Sequence, residues 1–301
     1  VTDSEITDTN TLVQATGNSD ITTVGIGAAI AGNVAVSGNV AVNIIGNNVD
    51  ASVARSTLTS TGNIGVLANG REDLGNYAGV VGLSATEAGA GIGISTSYNE
   101  INGTTAATVT DSSLKADGTD DAAVALTQSM DKDGVKTETK DGDQIVSDKR
   151  KGVVTAAYGQ HDLESVAVTG GIGASPTVSG GVAGTITVNK IGGSTKATVT
   201  NTAINETRTA KANDDVTVQA KDRTDSESHV GSLSVGIGGA AGIGVAGASD
   251  TLSFSRTTQA ELSGNVSDPK NRQNKTVNGR TIDVTADQKT DAVTNAARLS
   301  I

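Results

Sequence analysis

A chain of 301 residues that contains 38 Gly, three Tyr, one Phe, no Trp and no Cys lacks the large side chains from which compact globular cores are built. Its interior has to be narrow and made of Val, Ile and Ala, and disulfides and thiolate metal sites are excluded. Asp and Glu number 33 against 22 Lys and Arg, a net charge of -11, which argues against nucleic acid as a partner because phosphate binding needs clustered basic side chains.

The chain opens Val1-Thr2-Asp3 without a basic n-region, an apolar h-region or a cleavage site, and reads as an internal piece of a longer protein whose export is directed from elsewhere. Ile21 to Val49 carries no charge, yet its regular Gly, Asn and Ser make it too polar for a membrane helix. From Val24 to Ile44 every even position is apolar or Gly, and the same phase returns from Val166 to Val188. Period two specifies strands. The alternation predicts that Ile26, Val42, Ile172, Val188 and Ile237 point into the interior. A strand of about 21 residues would be several times the usual length, so Gly32-Asn33, Ser37-Gly38-Asn39 and Ser179-Gly180-Gly181 are expected to act as corners.

A three-part unit recurs four times. Its first part is a Gly/Ile run: Val24-Gly25-Ile26-Gly27, Ala90-Gly91-Ile92-Gly93-Ile94, Gly170-Gly171-Ile172-Gly173 and Val235-Gly236-Ile237-Gly238. Its second part ends at Val53, Val109, Val199 or Leu262, always two residues after an Ala. The third part is Ile64 to Ala68, Ala123 to Leu126, Val216 to Ala220 and Ile282 to Ala286. These fix repeats at 21–79, 80–164, 165–231 and 232–301, a unit of about 60 residues. The expected fold is all-β, an elongated β-solenoid of stacked coils forming one segment over 1–301. A charged insertion at 131–152 and a loop insertion at 265–280, with Asp268-Pro269 and Asn278-Gly279 as turn signals, are expected on the surface.

Candidate sites are few. Gly242-Ile243-Gly244-Val245-Ala246-Gly247 matches the dinucleotide fingerprint, but strand-like Thr251-Leu252-Ser253-Phe254 follows where a helix is required. Asp131, Asp133, Asp141 and Asp143 gather four carboxylates in the charged insertion, and calcium is the one cofactor they could hold, although neither segment has the spacing of a complete calcium loop. His161 and His229 lie in different repeats and read as surface residues beside strand ends, since zinc needs about four ligands. No nucleophile elbow is present. Asn102, Asn205, Asn265 and Asn274 open sequons, which read as unmodified Asn at turns.

The Gly-Ile-Gly runs, the tracts Asn43-Ile44-Ile45, Asn99-Glu100-Ile101 and Asn189-Lys190-Ile191, and the element Val216-Thr217-Val218-Gln219-Ala220 together resemble the repeat region of filamentous haemagglutinin-like adhesins exported by two-partner secretion, and among them the leukotoxin-like group. The resemblance implies a right-handed parallel β-helix, an outer-membrane transporter as partner, a secreted or cell-surface location, and contact with a component of host or neighbouring cells. The expected function is therefore structural and adhesive rather than enzymatic, with loops and a polar β face presented for contact. A polysaccharide-processing β-helix is the alternative, because successive coils can assemble paired carboxylates; part of a leukotoxin-like toxin is another. Three facing carboxylates in an open groove would favour the enzyme, and a flat Thr- and Asn-lined face the adhesin.

Overall fold

The computed structural model describes residues 1–119, 149–207, 214–264 and 275–301, with short strand pieces at Val124–Ala125, Ser129–Asp131, Gly134–Lys136, Thr139–Asp141 and Gln144–Val146. Among the described residues every regular element is a strand. The long strands are β1 (Thr11–Ala31), β2 (Val34–Ile45), β3 (Asn48–Ala54), β4 (Ile64–Ala85), β5 (Ala88–Thr110), β6 (Val153–Ser175), β7 (Val178–Thr200), β8 (Val216–Gly238), β9 (Ala241–Ser263) and β10 (Ile282–Ser300). They stack as parallel sheets. The first sheet runs β1-β4-β6-β8-β10, and the second runs β9-β7-β5-β2, with β3 also pairing β5. Short strands at Glu5–Asp8, Thr57–Ser60, Ser113–Ala116 and Ala203–Ile204 form a third face. Each coil thus passes through the first sheet, turns sharply, returns through the second, and crosses the third face: a parallel β-solenoid.

The corner into the third face is written in the sequence. Asp3, Arg55, Asp111 and Asn201 all adopt positive φ, between 47° and 51°, and each is followed by Ser or Thr. The Ser56, Ser112 and Thr202 hydroxyls bond back to the carbonyls of Ala54, Thr110 and Thr200, at 2.8, 2.7 and 3.0 Å. They also accept from the preceding coil's corner, as in Ser56 N to Ser112 Oγ at 3.1 Å. Hydroxyls that satisfy the bent backbone fix where the chain turns.

Val53, Val109, Val199 and Leu262 occupy one ladder of the second sheet. With Leu58, Leu114 and Ile204 from the third face and Ile64, Val66, Val153, Val216 and Val218 from the first, the three valines fill a triangular core. The third part of the second unit differs from expectation. Val153, not Ala123, pairs with Ile64 and Val216, so the insertion begins directly after Ser113–Ala116; Val124–Ala125 instead pairs with Lys149–Arg150.

Away from the triangle the first and second sheets lie against each other as a thin fin, and two expectations fail there. The strands of the fin are unbroken for 21 to 23 residues: Gly32-Asn33 is a turn, but Ser37-Gly38-Asn39 and Ser179-Gly180-Gly181 lie inside β2 and β7. The phase is also inverted. Ile26 is 84%, Val42 63% and Ile237 60% exposed, while Ile172 and Val188 are half-exposed. Gly, Ser, Thr and Asn face inward instead. The cause is the spacing of the sheets: a Cβ on Gly91 would sit 2.2 Å from Ile172 O, and one on Gly171 2.0 Å from Val182 O. Backbones in contact leave no room for β-branched side chains between them.

Candidate functional site

Two polar constellations sit where the fin leaves the triangle, on opposite sides of the first sheet. The inner one is a sealed charge cluster. His161 Nδ1 lies 2.7 Å from Glu72 and its Nε2 3.4 Å from Asp222, while Asp222 also takes hydrogen bonds from Thr195 at 2.6 Å and Arg256 at 2.8 Å. Glycines of both sheets make the space: a Cβ on Gly159 would sit 2.4 Å from Thr195 Oγ1 and 2.9 Å from His161 Nε2. His161 is 1% exposed, which corrects the expectation of a surface residue. His229, mid-strand on the outer face, is exposed and bonded to Glu227 at 2.7 Å. Closed to solvent, the inner cluster ties coils together and offers no substrate a path.

The outer constellation is open. Asp20, Asp73, Asp162, Asp225 and Asp291 stand in one register across all five strands of the first sheet. Two residues before each stands a donor: Asn18, Arg71, Gln160, Arg223 and Lys289. Four of these pairs close within a strand: Arg71–Asp73 at 2.9 Å, Gln160–Asp162 at 2.9 Å, Arg223–Asp225 at 2.5 Å and Lys289–Asp291 at 3.2 Å. The next outward row holds Glu164 and Glu227 in register, with Tyr77 Oη donating to Glu164 at 2.8 Å. Asp73, Asp162, Asp225 and Asp291, with Glu164 and Glu227, line an open groove of about 510 Å³. Partial burial, with repulsion from Asp162, raises the Asp73 carboxyl; burial likewise raises Asp162, with Asp225 adding and the Gln160 hydrogen bond opposing. Arg223 is raised, its burial outweighed by the Asp225 pairing. The result is a strip of alternating donors and acceptors repeating about every 4.8 Å along the solenoid.

Sequence reasoning missed this strip, although its signal is plain once register is known. Each donor lies three residues after an inward Ala, at Ala15, Ala68, Ala157, Ala220 and Ala286. Val13-Gln14-Ala15 repeats Val218-Gln219-Ala220 letter for letter, so β1 is a further copy that repeats starting at residue 21 overlooked. The residue between donor and Asp points inward, which is how Glu72 and His161 reach the sealed cluster.

Of the other candidates, Gly242 to Gly247 lies within β9, with strand rather than helix after it. The side chains of Asp131, Asp133, Asp141 and Asp143 lie outside the described residues, as do Asn265 and Asn274. Asn102 is exposed, whereas Asn205 is buried at a left-handed φ of 52° and accepts from Ala116 N at 2.9 Å. Among the described residues, no three His, Asp or Glu side chains are grouped to hold a metal ion, and no helix is long and apolar enough to cross a membrane. The base of the second sheet presents a flat outer face rich in hydroxyls, including the in-register Thr104, Ser194 and Thr257 and, two residues on from Lys196, Thr108 and Thr198. Comparison with protein-family models, curated proteins and solved structures finds no match to this chain.

Proposed function

We propose that this chain is a rod segment of a secreted bacterial surface filament of the haemagglutinin-like kind, exported through an outer-membrane transporter and making adhesive contact with a component of host or neighbouring cells. The observation that carries the reading is the fivefold in-register repeat of the donor-and-Asp pair along one unbroken sheet. A rigid comb of similar donor-and-Asp pairs suits a polymer that itself repeats, such as a surface glycan, because many weak contacts at fixed spacing add as avidity. Beads coated with the chain should retain cells or purified cell-surface polysaccharide. The triple variant Arg71→Gln, Asp162→Asn, Asp225→Asn should keep its β circular dichroism and lose that retention. Wild-type beads that hold no more material than albumin-coated beads would remove the adhesive part of the reading.

One observation favours a second reading. Asp162 and Asp225 stand side by side in an open groove with Glu164 and Glu227 beside them, the arrangement from which a polysaccharide-processing β-helix could draw an acid and a base. Incubation with acidic and neutral polysaccharides, followed by an assay for new reducing ends, separates the two. Turnover that Asp225→Asn abolishes would replace adhesion with catalysis.

A further inference from the structure

The fin leaves its aliphatic side chains outside, and on the second sheet they form an ordered relief. Val36, Ile92, Val182 and Val245 share one outward row across β2, β5, β7 and β9, an unbroken aliphatic ridge. Val36 is 62%, Val182 41% and Val245 55% exposed. The next outward row is Gly38, Ile94, Gly184 and Gly247, a trough broken only by Ile94. A Cβ on Gly184 or Gly247 would meet nothing within 4 Å, so these glycines are not needed for packing inside the chain. Beyond the trough rise Val40 and Ile186. No residue of Val34–Asn43, Ala88–Asn99, Val178–Asn189 or Ala241–Ser249 is charged; charge resumes on the same face with Glu100 and Lys190, which stacks on the Tyr98 ring at 5.1 Å.

We propose that this face mates with the same face of a second copy of the chain, ridge into trough. A two-fold axis along the solenoid, between the two rows, sets Val36 over Gly38, Val182 over Gly184 and Val245 over Gly247 of the second copy. The reciprocal contacts follow from the symmetry, as an isologous interface requires. The same operation brings Ile186 over Gly180, a second glycine with nothing near its Cβ position, and sets Ile92 against Ile94 in the coil where the trough is filled. Four strands about 4.8 Å apart and five outward rows about 6.7 Å apart give a face of roughly 600 Å² per copy. The pair then buries about 1,200 Å², the lower bound of specific interfaces. An uncharged patch of that size is as large as the largest that monomers commonly expose. The pairing joins rods side by side and leaves the donor-and-Asp strip of the first sheet free, so it does not depend on what that strip binds.

Sedimentation velocity on the 301-residue chain from about 1 to about 100 μM should show a monomer passing to a dimer, with Kd in the micromolar range. Val182→Lys should leave a monomer throughout. The decisive variant is Gly184→Ile with Gly247→Ile: it fills the trough, adds aliphatic surface and suits a strand, so it keeps the fold, yet it should weaken association at least about tenfold. Circular dichroism and melting of both variants confirm that they fold. Three results would each overturn the proposal: a wild-type monomer at every concentration, a trough-filled variant that associates as well as or better than wild type, or a wild-type monomer that floats with phosphatidylcholine vesicles, which would make lipid the occupant.

Discussion

His161 Nδ1 sits 2.7 Å from the carboxylate of Glu72, its neighbour one coil away in the same ladder, and both side chains are closed to solvent. Asp222 and Arg256 complete the cluster, so two carboxylates face one guanidinium and one imidazole, and charge balances only when His161 is protonated. Burial pushes the imidazole down, but hydrogen bonds to Asp222 and Glu72 outweigh it and its pKa lies above 6.5. Burial pushes Asp222 up, and His161 and Arg256 together hold it far below the usual carboxylate range.

The pH dependence follows from those directions. A histidine raised on folding stabilises fully below its unfolded pKa of about 6.5 and loses that contribution as pH rises through the folded value. Asp222, depressed on folding, contributes above its unfolded value of about 3.9 and fades as pH falls through the folded one. His161→Gln leaves two carboxylates against Arg256 and should cost about 3–5 kcal/mol near pH 6. The cost should shrink as pH rises past the folded pKa, because wild type loses the same charge. Urea unfolding of both proteins at mildly acid and alkaline pH checks this; an equal cost at both would mean His161 is neutral in the fold.

The period-two pattern made the strands readable, because alternation reports one residue per face whatever lies on that face, and the recurring Gly/Ile runs and Ala-x-apolar ends made the repeat readable; parallel pairing was implied by the resemblance and not by the period. Which face is inside was not readable by hydrophobicity. In the triangle, Val53, Val109 and Val199, the residues that anchored the repeat, point inward; in the fin, Ile26 and Ile237 point out because Gly-lined backbones touch across the interior. Glycine in alternate positions was the signal for sheets in contact. The donor-and-Asp strip was hidden because unequal insertions separate its members by 53, 89, 63 and 66 residues.

Two substitutions test the inversion. Ile26→Asp, at a position 84% exposed, should change stability by no more than about 0.5 kcal/mol. Leu74→Ala, in the small inward cluster with Ile101, Leu163 and Ile191, should cost about 2–5 kcal/mol. Chemical denaturation of the two variants reads the difference, and a large loss at Ile26 would restore the expected phase.

Inward and outward glycines should likewise respond in opposite ways. A Cβ on Gly171 would press on Val182 O at 2.0 Å, whereas one on Gly184 meets nothing. Gly171→Ala should therefore destabilise by about 1–3 kcal/mol through overpacking. Gly184→Ala should be neutral or stabilise by up to about 1 kcal/mol, by reducing the freedom of the unfolded chain. Melting temperatures that move together for the pair would show that the sheets of the fin are farther apart than the contact distances require.

In the open strip Asp162 carries the same pH sign as His161 and the opposite sign to Asp222. Asp162 is raised first by its burial and then by Asp225 beside it, against the pull of Gln160 and Arg71. A carboxyl raised on folding favours the fold while protonated, so stability falls as pH climbs through its unfolded and then its folded pKa. Asp162→Asn keeps the shape and removes the titration. Melting between about pH 3.5 and about pH 6 should therefore show a smaller loss, or a larger gain, with rising pH in the variant than in wild type; parallel curves would mean that folding does not raise Asp162. If the variant is also the weaker binder in the bead assay, the strip keeps at Asp162 a charge that costs the fold stability. That combination marks a surface held for a partner rather than for the solenoid.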